Sequence, residues 1–204
     1  MLVRALKLDF LSPPFQAHSQ SNMQMGKVQL DTCDQEVKSL LEKEAIELIE
    51  PGERFVSGLF VIPKRTGGFR PIVNLKALNK FVRPVHFKME GIPLLQELIR
   101  QVDYFTKIYL RDAYLTLPLR EEDRKFVQIK WGEVFYQFRT LAFGLSSAPW
   151  IFTKILKPVI TCLRKQGVRL IIYLDDILLL NSCKEGARKD FYWPGKYWKI
   201  AGFL

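Results

Sequence analysis

Two adjacent carboxylates between two apolar segments constrain the fold of this chain more than any other feature of its sequence. Asp175 and Asp176 separate residues 168–174 from residues 177–180, and both segments have the composition of buried strands. Neighbouring carboxylates repel each other and resist burial, so this pattern predicts a β-hairpin with the pair at its turn. Asp is a common turn residue, and at a turn water would solvate both carboxylates.

The same pair is also suited to binding a divalent cation. Mg²⁺ takes carboxylate and phosphate oxygens as ligands, and a hairpin would hold the two side chains in fixed positions. Two such ions could activate a hydroxyl nucleophile and neutralise a leaving pyrophosphate. A site of this kind usually includes a third carboxylate from a neighbouring strand, which directs attention to the strand predicted at residues 104–110.

The net charge of the chain favours a polyanionic partner. The 204 residues include 31 Lys and Arg against 21 Asp and Glu, which gives a formal charge of +10. Each phosphate that a basic side chain neutralises releases counterions, so a basic excess promotes binding to nucleic acid. A basic protein without such a partner would show the same excess, and charge alone leaves both interpretations open. With 48% hydrophobic residues, the chain can form the core of one or two domains.

Cysteine usage and the apolar segments indicate an intracellular protein without a membrane anchor. Cys33, Cys162 and Cys183 are far apart and show neither metal-ligand spacing nor a disulfide framework, so we expect reduced thiols. Segment 1–11 is interrupted by charged residues and does not resemble a secretory signal. No apolar run is long enough to span a bilayer. We therefore predict a cytoplasmic or nuclear location.

Apolar periodicity predicts an α+β fold built around an antiparallel sheet. A helical pattern begins at Asp34, the expected N-cap, and is expected to end at Pro51-Gly52. Another helix is predicted from Ser146 or Ser147 to about Gln166. These helices would flank the strands that the remaining apolar segments form.

Strand patterns joined by short turns predict two further hairpins. One covers residues 59–75 with a basic tip at 64–68, and the other covers residues 125–138. Between them, Pro93 opens a short helix that is expected to direct apolar side chains, including Val102, toward the core. Helices and strands are thus mixed along the chain with short connections.

A series of ordered motifs extends from the first of these hairpins to the aspartate pair. The motifs are Pro63-Lys64 and residues 67–75, 78–80, 110–114, 143–149, 151–152 and 173–176. In this order they resemble the reverse transcriptases of retroelements, in particular those of LTR- or DIRS-type retrotransposons, over roughly residues 35–182. The resemblance implies the fingers and palm of a right-hand polymerase, with an antiparallel palm sheet flanked by helices.

The resemblance divides the chain into three parts. Residues 1–33 are expected to form a loosely ordered leader, residues 34–182 the reverse transcriptase fingers and palm, and residues 183–204 an unrelated tail. The thumb that follows the palm in reverse transcriptases is missing from this arrangement.

The resemblance implies a catalytic role for the aspartate pair. Asp175 and Asp176 match the ligands of two Mg²⁺ ions in an RNA-directed DNA polymerase, which catalyses template-primed deoxynucleotidyl transfer. The expected substrates are an RNA template, a DNA or RNA primer and deoxynucleoside triphosphates. No membrane partner is implied, and the sequence does not specify an oligomeric state.

Other residues match nucleotide-binding positions of the family. Lys64 and Arg70 match a basic fingers hairpin that binds the phosphates of the incoming nucleotide, although a solvated hairpin tip would have the same composition. Asp112, Ala113 and Tyr114 match the segment beneath the nucleotide sugar and triphosphate. By resemblance, Tyr114 excludes a ribose 2′-hydroxyl, whereas an ordinary core tyrosine is the alternative.

The loop before the long C-terminal helix completes this set. Phe143 and Gly144 match the loop that packs on the nucleotide and the template. Phe143 could equally be part of the apolar core.

The sequence departs from the family at residue 109. Reverse transcriptases have a third metal-binding aspartate there, and this chain has Tyr109. A phenol is neutral near pH 7 and is a poor ligand for Mg²⁺. We therefore expect little or no polymerase activity despite the family fold.

Two other functions compete with this interpretation. The first is a non-catalytic nucleic-acid-binding remnant of a retroelement, which the net charge would support equally well. The second is an RNA-templated RNA polymerase, which is disfavoured because Tyr114 follows Asp112-Ala113 and because the aspartate pair follows Tyr173-Leu174.

Overall fold

A computed structural model of the chain describes residues 5–18, 23–50, 52 and 55–189. These residues form a mixed α+β structure with mainly antiparallel strand pairing, as the sequence predicted. The helices are α1 (Lys27–Glu42), α2 (Lys76–Asn79), α3 (Ile92–Leu98), α4 (Glu121–Arg124) and α5 (Ala148–Lys165), and a 3-10 helix spans Ala113–Thr116. The strands are β1 (Ile46–Ile49), β2 (Val56–Ser57), β3 (Leu59–Pro63), β4 (Phe69–Val73), β5 (Tyr104–Tyr109), β6 (Gln128–Trp131), β7 (Val134–Phe138), β8 (Arg169–Tyr173) and β9 (Asp176–Asn181).

The described residues divide into two compact units. The first unit contains residues 85–113 and 149–189, and the second contains the described residues of 5–84 together with residues 114–148. Each unit has its own sheets and its own buried apolar side chains, whose removal from water stabilises the folded chain. None of the helices in the described ranges combines the length and the apolar character needed to cross a membrane.

The first unit is built on a three-stranded antiparallel sheet in the order β5–β9–β8. The chain passes from β8 directly into β9, and Tyr173 at the end of β8 pairs with Asp176 at the start of β9. The same residue of β9 pairs with Tyr109 at the end of β5. The hairpin predicted around the two aspartates is therefore confirmed.

The second unit contains a four-stranded sheet in the order β1–β7–β6–β2 and a two-stranded sheet formed by β3 and β4. Its pairings are antiparallel except for β2 with β6, which is parallel. The hairpins predicted at residues 59–75 and 125–138 are confirmed as β3–β4 and β6–β7. Turn chemistry and apolar alternation were sufficient to locate both hairpins.

The helix predicted from Asp34 is wrong at both ends. α1 spans Lys27–Glu42, and Glu44 follows it with a left-handed φ of 53° that stops the helix. Residues 46–49 then form β1, because pairing with β7 overrides an apolar spacing that also fits a helix. Pro51, part of the predicted helix stop, lies outside the described residues.

Parts of the predicted leader carry regular structure. Residues 27–33 lie in α1, and bridges from Leu6 to Leu119 and from Phe10 to Val82 join the N-terminal segment to the second unit. Residues 1–4, 19–22 and 190–204 lie outside the described residues, and so does most of the predicted tail. The predicted domain boundaries stay predictions.

The expectation that Val102 faces the core is wrong. α3 ends at Leu98, and Val102 lies in the following turn with 77% of its surface exposed. Its φ of 67° is unusual for a β-branched residue, and the turn it forms leads directly into β5.

A buried ion pair joins this turn to β8. Arg169 donates from Nη1 and Nη2 to the two carboxylate oxygens of Asp103 at 2.7 and 2.6 Å, and from Nη1 to the Leu98 carbonyl at 2.8 Å. The Asp103 side chain has no exposed surface. The hydrogen bond from Arg169 is the main cause that lowers the pKa of Asp103 to about 2, whereas burial opposes the shift. The pair holds the beginning of β8 against the turn that precedes β5.

We predict that the Asp103–Arg169 pair makes the stability of the chain sensitive to acid. The folded pKa of about 2 lies below the unfolded value, which is roughly 4. The stabilisation is therefore present above about pH 4 and is lost as the pH falls toward 2. Asp103→Asn should lower the urea midpoint at neutral pH and flatten its decline between about pH 5 and 2.

The matched control is Asp9→Asn, which removes an exposed pair with Arg83. It should leave the acid dependence of the urea midpoint close to that of the native chain, because exposed ion pairs contribute little. Equal acid profiles for the two variants would contradict the role assigned to Asp103.

Candidate active site

The two aspartates lie at the turn of the β8–β9 hairpin, as predicted. Leu174 and Asp175 form the turn, and Asp176 is the first residue of β9. Leu174 has a left-handed φ of 55°, a conformation that is strained for a residue with a branched side chain and is common at functional sites. The Leu110 N–H donates to the Asp175 carbonyl at 2.9 Å, which attaches the turn to the residue after β5.

Tyr109 lies directly opposite Asp176 in the β5–β9 pairing. Directly opposed residues of antiparallel strands place their side chains on the same face of the sheet, so the phenol is beside the Asp176 carboxylate. The Tyr109 side chain is hydrogen-bonded to Asp175. Partial burial, the negative charge of Asp175 and this hydrogen bond raise the pKa of Tyr109, with smaller contributions from Asp112 and Asp176. The phenol is therefore a neutral donor to the carboxylate.

Lys107 neutralises the second carboxylate. Its Nζ lies 2.9 Å from Asp176 Oδ1, although the two atoms lack the alignment of a hydrogen bond. Residues two apart on a strand share a face, so Lys107 and Tyr109 both point toward the aspartates. Sequence reasoning assigned no role to Lys107, although its spacing from position 109 contained the signal.

The segment after β5 places two further predicted residues in the first unit. Asp112 has a left-handed φ of 54°, and its carboxylate is close enough to raise the pKa of Tyr109. Arg111 lies 3.6 Å from Asp112 in an exposed ion pair. Ala113 is buried, with 3% of its surface exposed. The first unit thus brings together Tyr109, Asp112, Asp175 and Asp176.

In the second unit, the β3–β4 hairpin presents the predicted phosphate-binding residues. Arg70 pairs with Ile62, and the Lys64 N–H donates to the Gly68 carbonyl at 3.0 Å to close the tip. Gly67 and Gly68 have φ values of 88° and 75°, which other residues rarely adopt. Both cationic side chains are exposed, and neither has an acidic partner within the described ranges.

The remaining predicted residues of the second unit form one cluster. The rings of Tyr114 and Phe143 lie 4.8 Å apart between centroids at an angle of 54°. Tyr114 is buried, whereas 48% of Phe143 is exposed, so the loop presents one accessible aromatic face. Phe143 therefore is not an ordinary core residue.

Asn79 fixes the loop that contains Phe143 and Gly144. Its Nδ2 donates to the Gly144 carbonyl at 2.8 Å, and its Oδ1 accepts from the Ser146 N–H at 2.9 Å. Gly144 has a φ of 98°, and a Cβ there would meet the Val73 carbonyl oxygen at 3.5 Å. Asn79 belonged to a recognised motif, but only the structure reveals this positioning contact.

The donor atoms beside the hairpin fit Mg²⁺ in part. The carboxylates of Asp175 and Asp176 are hard oxygen ligands of the kind that Mg²⁺ prefers. The phenol of Tyr109 lies opposite Asp176, where the resemblance led us to expect a third carboxylate, and a neutral phenol is a poor ligand for Mg²⁺. The part of the chain that the structure describes contains no group of three or more acidic, His or Cys side chains arranged to hold a metal ion.

Known proteins resemble this chain over most of its described length. The Pol polyprotein of Equine infectious anemia virus (strain Wyoming) is 28% identical over 175 residues, which cover 81% of this chain and 15% of that protein. The Gag-Pro-Pol polyprotein of Squirrel monkey retrovirus is 28% identical over 140 residues, or 64% of this chain and 7% of that protein. The Transposon Tf2-3 polyprotein of Schizosaccharomyces pombe is 27% identical over 121 residues, or 58% of this chain and 9% of that protein.

The chain therefore spans only a small part of the length of these relatives. The family described as reverse transcriptase (RNA-dependent DNA polymerase) matches residues 62–191, which is more than half of the chain. This match covers the β8–β9 hairpin and the part of the β3–β4 hairpin from residue 62 onward, and it confirms the resemblance drawn from the ordered motifs. The chain belongs to the reverse transcriptase family.

Proposed function

We propose that this chain is the polymerase region of an RNA-directed DNA polymerase and that Tyr109 leaves it with little activity. One observation carries the proposal: Asp176 lies opposite residue 109 of the neighbouring strand, and Asp175 lies beside both of them at the hairpin turn. A rigid sheet that holds acidic side chains in this way is suited to binding divalent cations. The family match and the polyprotein relatives agree with this function.

The fold supports an assignment of the two units to polymerase subdomains. We assign the first unit, with its β5–β9–β8 sheet, to the palm, since it contains the candidate metal ligands. We assign the β3–β4 hairpin of the second unit to the fingers, since its exposed tip contains cations. The two parts would together form the fingers and palm predicted for residues 34–182.

The first unit would supply the catalytic carboxylates. Asp175 and Asp176 would hold Mg²⁺, which when bound lowers the pKa of a primer 3′-hydroxyl and neutralises the leaving pyrophosphate. Their attachment to rigid strands keeps the carboxylate oxygens in position, since Leu110 binds the turn and β5 pairs with β9. This arrangement favours template-primed transfer of a deoxynucleotide from its triphosphate.

The second unit would bind the incoming nucleotide. Arg70 can grip a phosphate through two parallel hydrogen bonds, and Lys64 can add a point charge. The exposed ring of Phe143, packed against the buried ring of Tyr114, provides a rigid surface of the kind that could exclude a 2′-hydroxyl. Asn79 keeps Phe143 and Gly144 in a fixed loop, which suits contact with a nucleotide and its template.

Tyr109 explains the expected loss of activity in physical terms. Its hydroxyl is hydrogen-bonded to Asp175, so a cation would have to share that carboxylate with the phenol. It adds no negative charge, and its raised pKa keeps it neutral at physiological pH. Lys107 beside Asp176 neutralises one of the two carboxylates with a charge from the protein itself.

We predict that Tyr109→Asp increases primer extension by roughly hundredfold or more, because the third carboxylate completes the cation site. Extension of a DNA primer on an RNA template with Mg²⁺ and deoxynucleoside triphosphates measures the effect. Tyr109→Asn is the matched control, since it has the shape of aspartate without the charge and should remain weak. Native activity equal to that of Tyr109→Asp would contradict the proposal.

We predict that Arg70→Ala weakens binding of a deoxynucleoside triphosphate by roughly tenfold, because a charge-assisted phosphate contact is lost. Arg70→Lys should retain part of the affinity, since a point charge replaces the bidentate grip. Fluorescence titration with a labelled triphosphate gives the dissociation constants. Arg188→Ala removes an equal charge from an exposed position of the first unit and should have little effect.

Primer-extension and binding measurements also distinguish an RNA-directed DNA polymerase from a non-catalytic nucleic-acid-binding remnant. Salt-dependent binding to a primer–template duplex, together with no extension by Tyr109→Asp, would favour the nucleic-acid-binding remnant instead.

A further inference from the structure

The outer edge of β8 is closed by side chains. The sheet order β5–β9–β8 pairs one edge of β8 with β9, and the described strands leave its other edge without a partner strand. On that edge the Ile172 N–H donates to Glu90 Oε2 at 2.9 Å, and the Leu170 carbonyl accepts from Arg164 Nη2 at 3.0 Å. Leu170 and Ile172 are two residues apart, so both direct their backbone groups to the same side of the strand.

Glu90 and Arg164 are also bonded to each other. Arg164 Nη2 lies 2.7 Å from Oε1 and 2.7 Å from Oε2 of Glu90. The two side chains are partly buried, with 24% of Glu90 and 37% of Arg164 exposed. Arg164 belongs to the last turn of α5, and Glu90 lies just before α3. These contacts therefore tie three separate segments of the chain at one edge of the sheet.

This edge leads directly into the turn with the aspartates. Ile172 is three residues before Asp175, and Leu174 between them has the left-handed φ of 55°. A strained turn keeps its conformation only if the surrounding structure holds the flanking residues in place. β9 holds the inner edge of β8, and the Glu90–Arg164 pair holds the outer edge.

A cavity beside the turn provides room for it to move. Its volume is about 230 Å³, and Glu90, Arg164, Ile172 and Leu174 all contribute to its wall. Leu156 and Ile160 of α5 contribute further apolar side chains to the same wall. The space on this side of Leu174 is not filled by side chains, so packing contributes less here to holding the turn residue.

We propose that Glu90 and Arg164 are positioning residues that hold β8 so that its turn presents Asp175 and Asp176. The Glu90 carboxylate accepts from both the strand and the guanidinium, and the guanidinium donates to both the carboxylate and the strand. An effect of this positioning on catalysis rests on the proposed polymerase function. The positioning itself is independent of that function, because it can be measured without metal ion or substrate.

The experiment compares Glu90→Gln with the native chain by amide hydrogen exchange and NMR chemical shifts. The loss of the charge weakens the acceptor for Ile172, so exchange of its N–H should accelerate by at least about tenfold. The amides of residues 173–176 should accelerate as well and shift in frequency, while amides of β6 and β7 remain unchanged. Glu97→Gln, an exposed acid of α3, is the matched control and should change neither group.

A second pair of variants covers the case in which Glu90→Gln does not fold. Arg164→Lys should keep Ile172 protected, because an ammonium still pairs with Glu90, whereas Arg164→Met should lose that protection. Acceleration at Ile172 alone, with residues 173–176 unchanged, would overturn the proposal, since the pair would then only cap a strand edge. Unchanged exchange at Ile172 would overturn it too. Failure of Tyr109→Asp to extend primers would instead count against the polymerase proposal.

Discussion

The pairing of β5 with β9 is the constraint on which the candidate site depends. This antiparallel pairing places residue 109 opposite Asp176, and the β8–β9 hairpin places Asp175 at the adjoining turn. Backbone hydrogen bonds fix the separation of these residues, so the chemistry of the site is decided by the side chains that occupy them. A shift of one residue would turn Asp176 to the other face of the sheet.

Side chains of β5 reduce the electrostatic repulsion between Asp175 and Asp176. Two adjacent negative charges would repel each other, and here each has a partner from β5: the Tyr109 phenol for Asp175 and the Lys107 ammonium for Asp176. The hydrogen-bonded phenol is stable next to the carboxylates because it stays neutral. Under the proposed function, these contacts would compete with cation binding and would account for a family fold with low activity.

The features that the sequence predicted correctly are those that residues close together in the chain determine. The β3–β4, β6–β7 and β8–β9 hairpins follow from apolar strands joined by turn residues close in the chain. The helix predicted from Asp34 failed because residues 46–49 pair with β7, about ninety positions further along, and such pairing leaves no local signal. The roles of Asn79 and Glu90 were not predicted for the same reason, since their partners are set by the fold.

The central claim is that the carboxylates beside position 109 form a divalent-cation site that lacks one ligand. Paramagnetic broadening of amide signals by Mn²⁺ tests it most directly, since the effect reports the position of the bound ion. In the Tyr109→Asp chain, broadening should centre on residues 109, 175 and 176 at Mn²⁺ concentrations about tenfold below those needed by the native chain. Broadening centred elsewhere, or equal Mn²⁺ requirements in the two chains, would contradict the account.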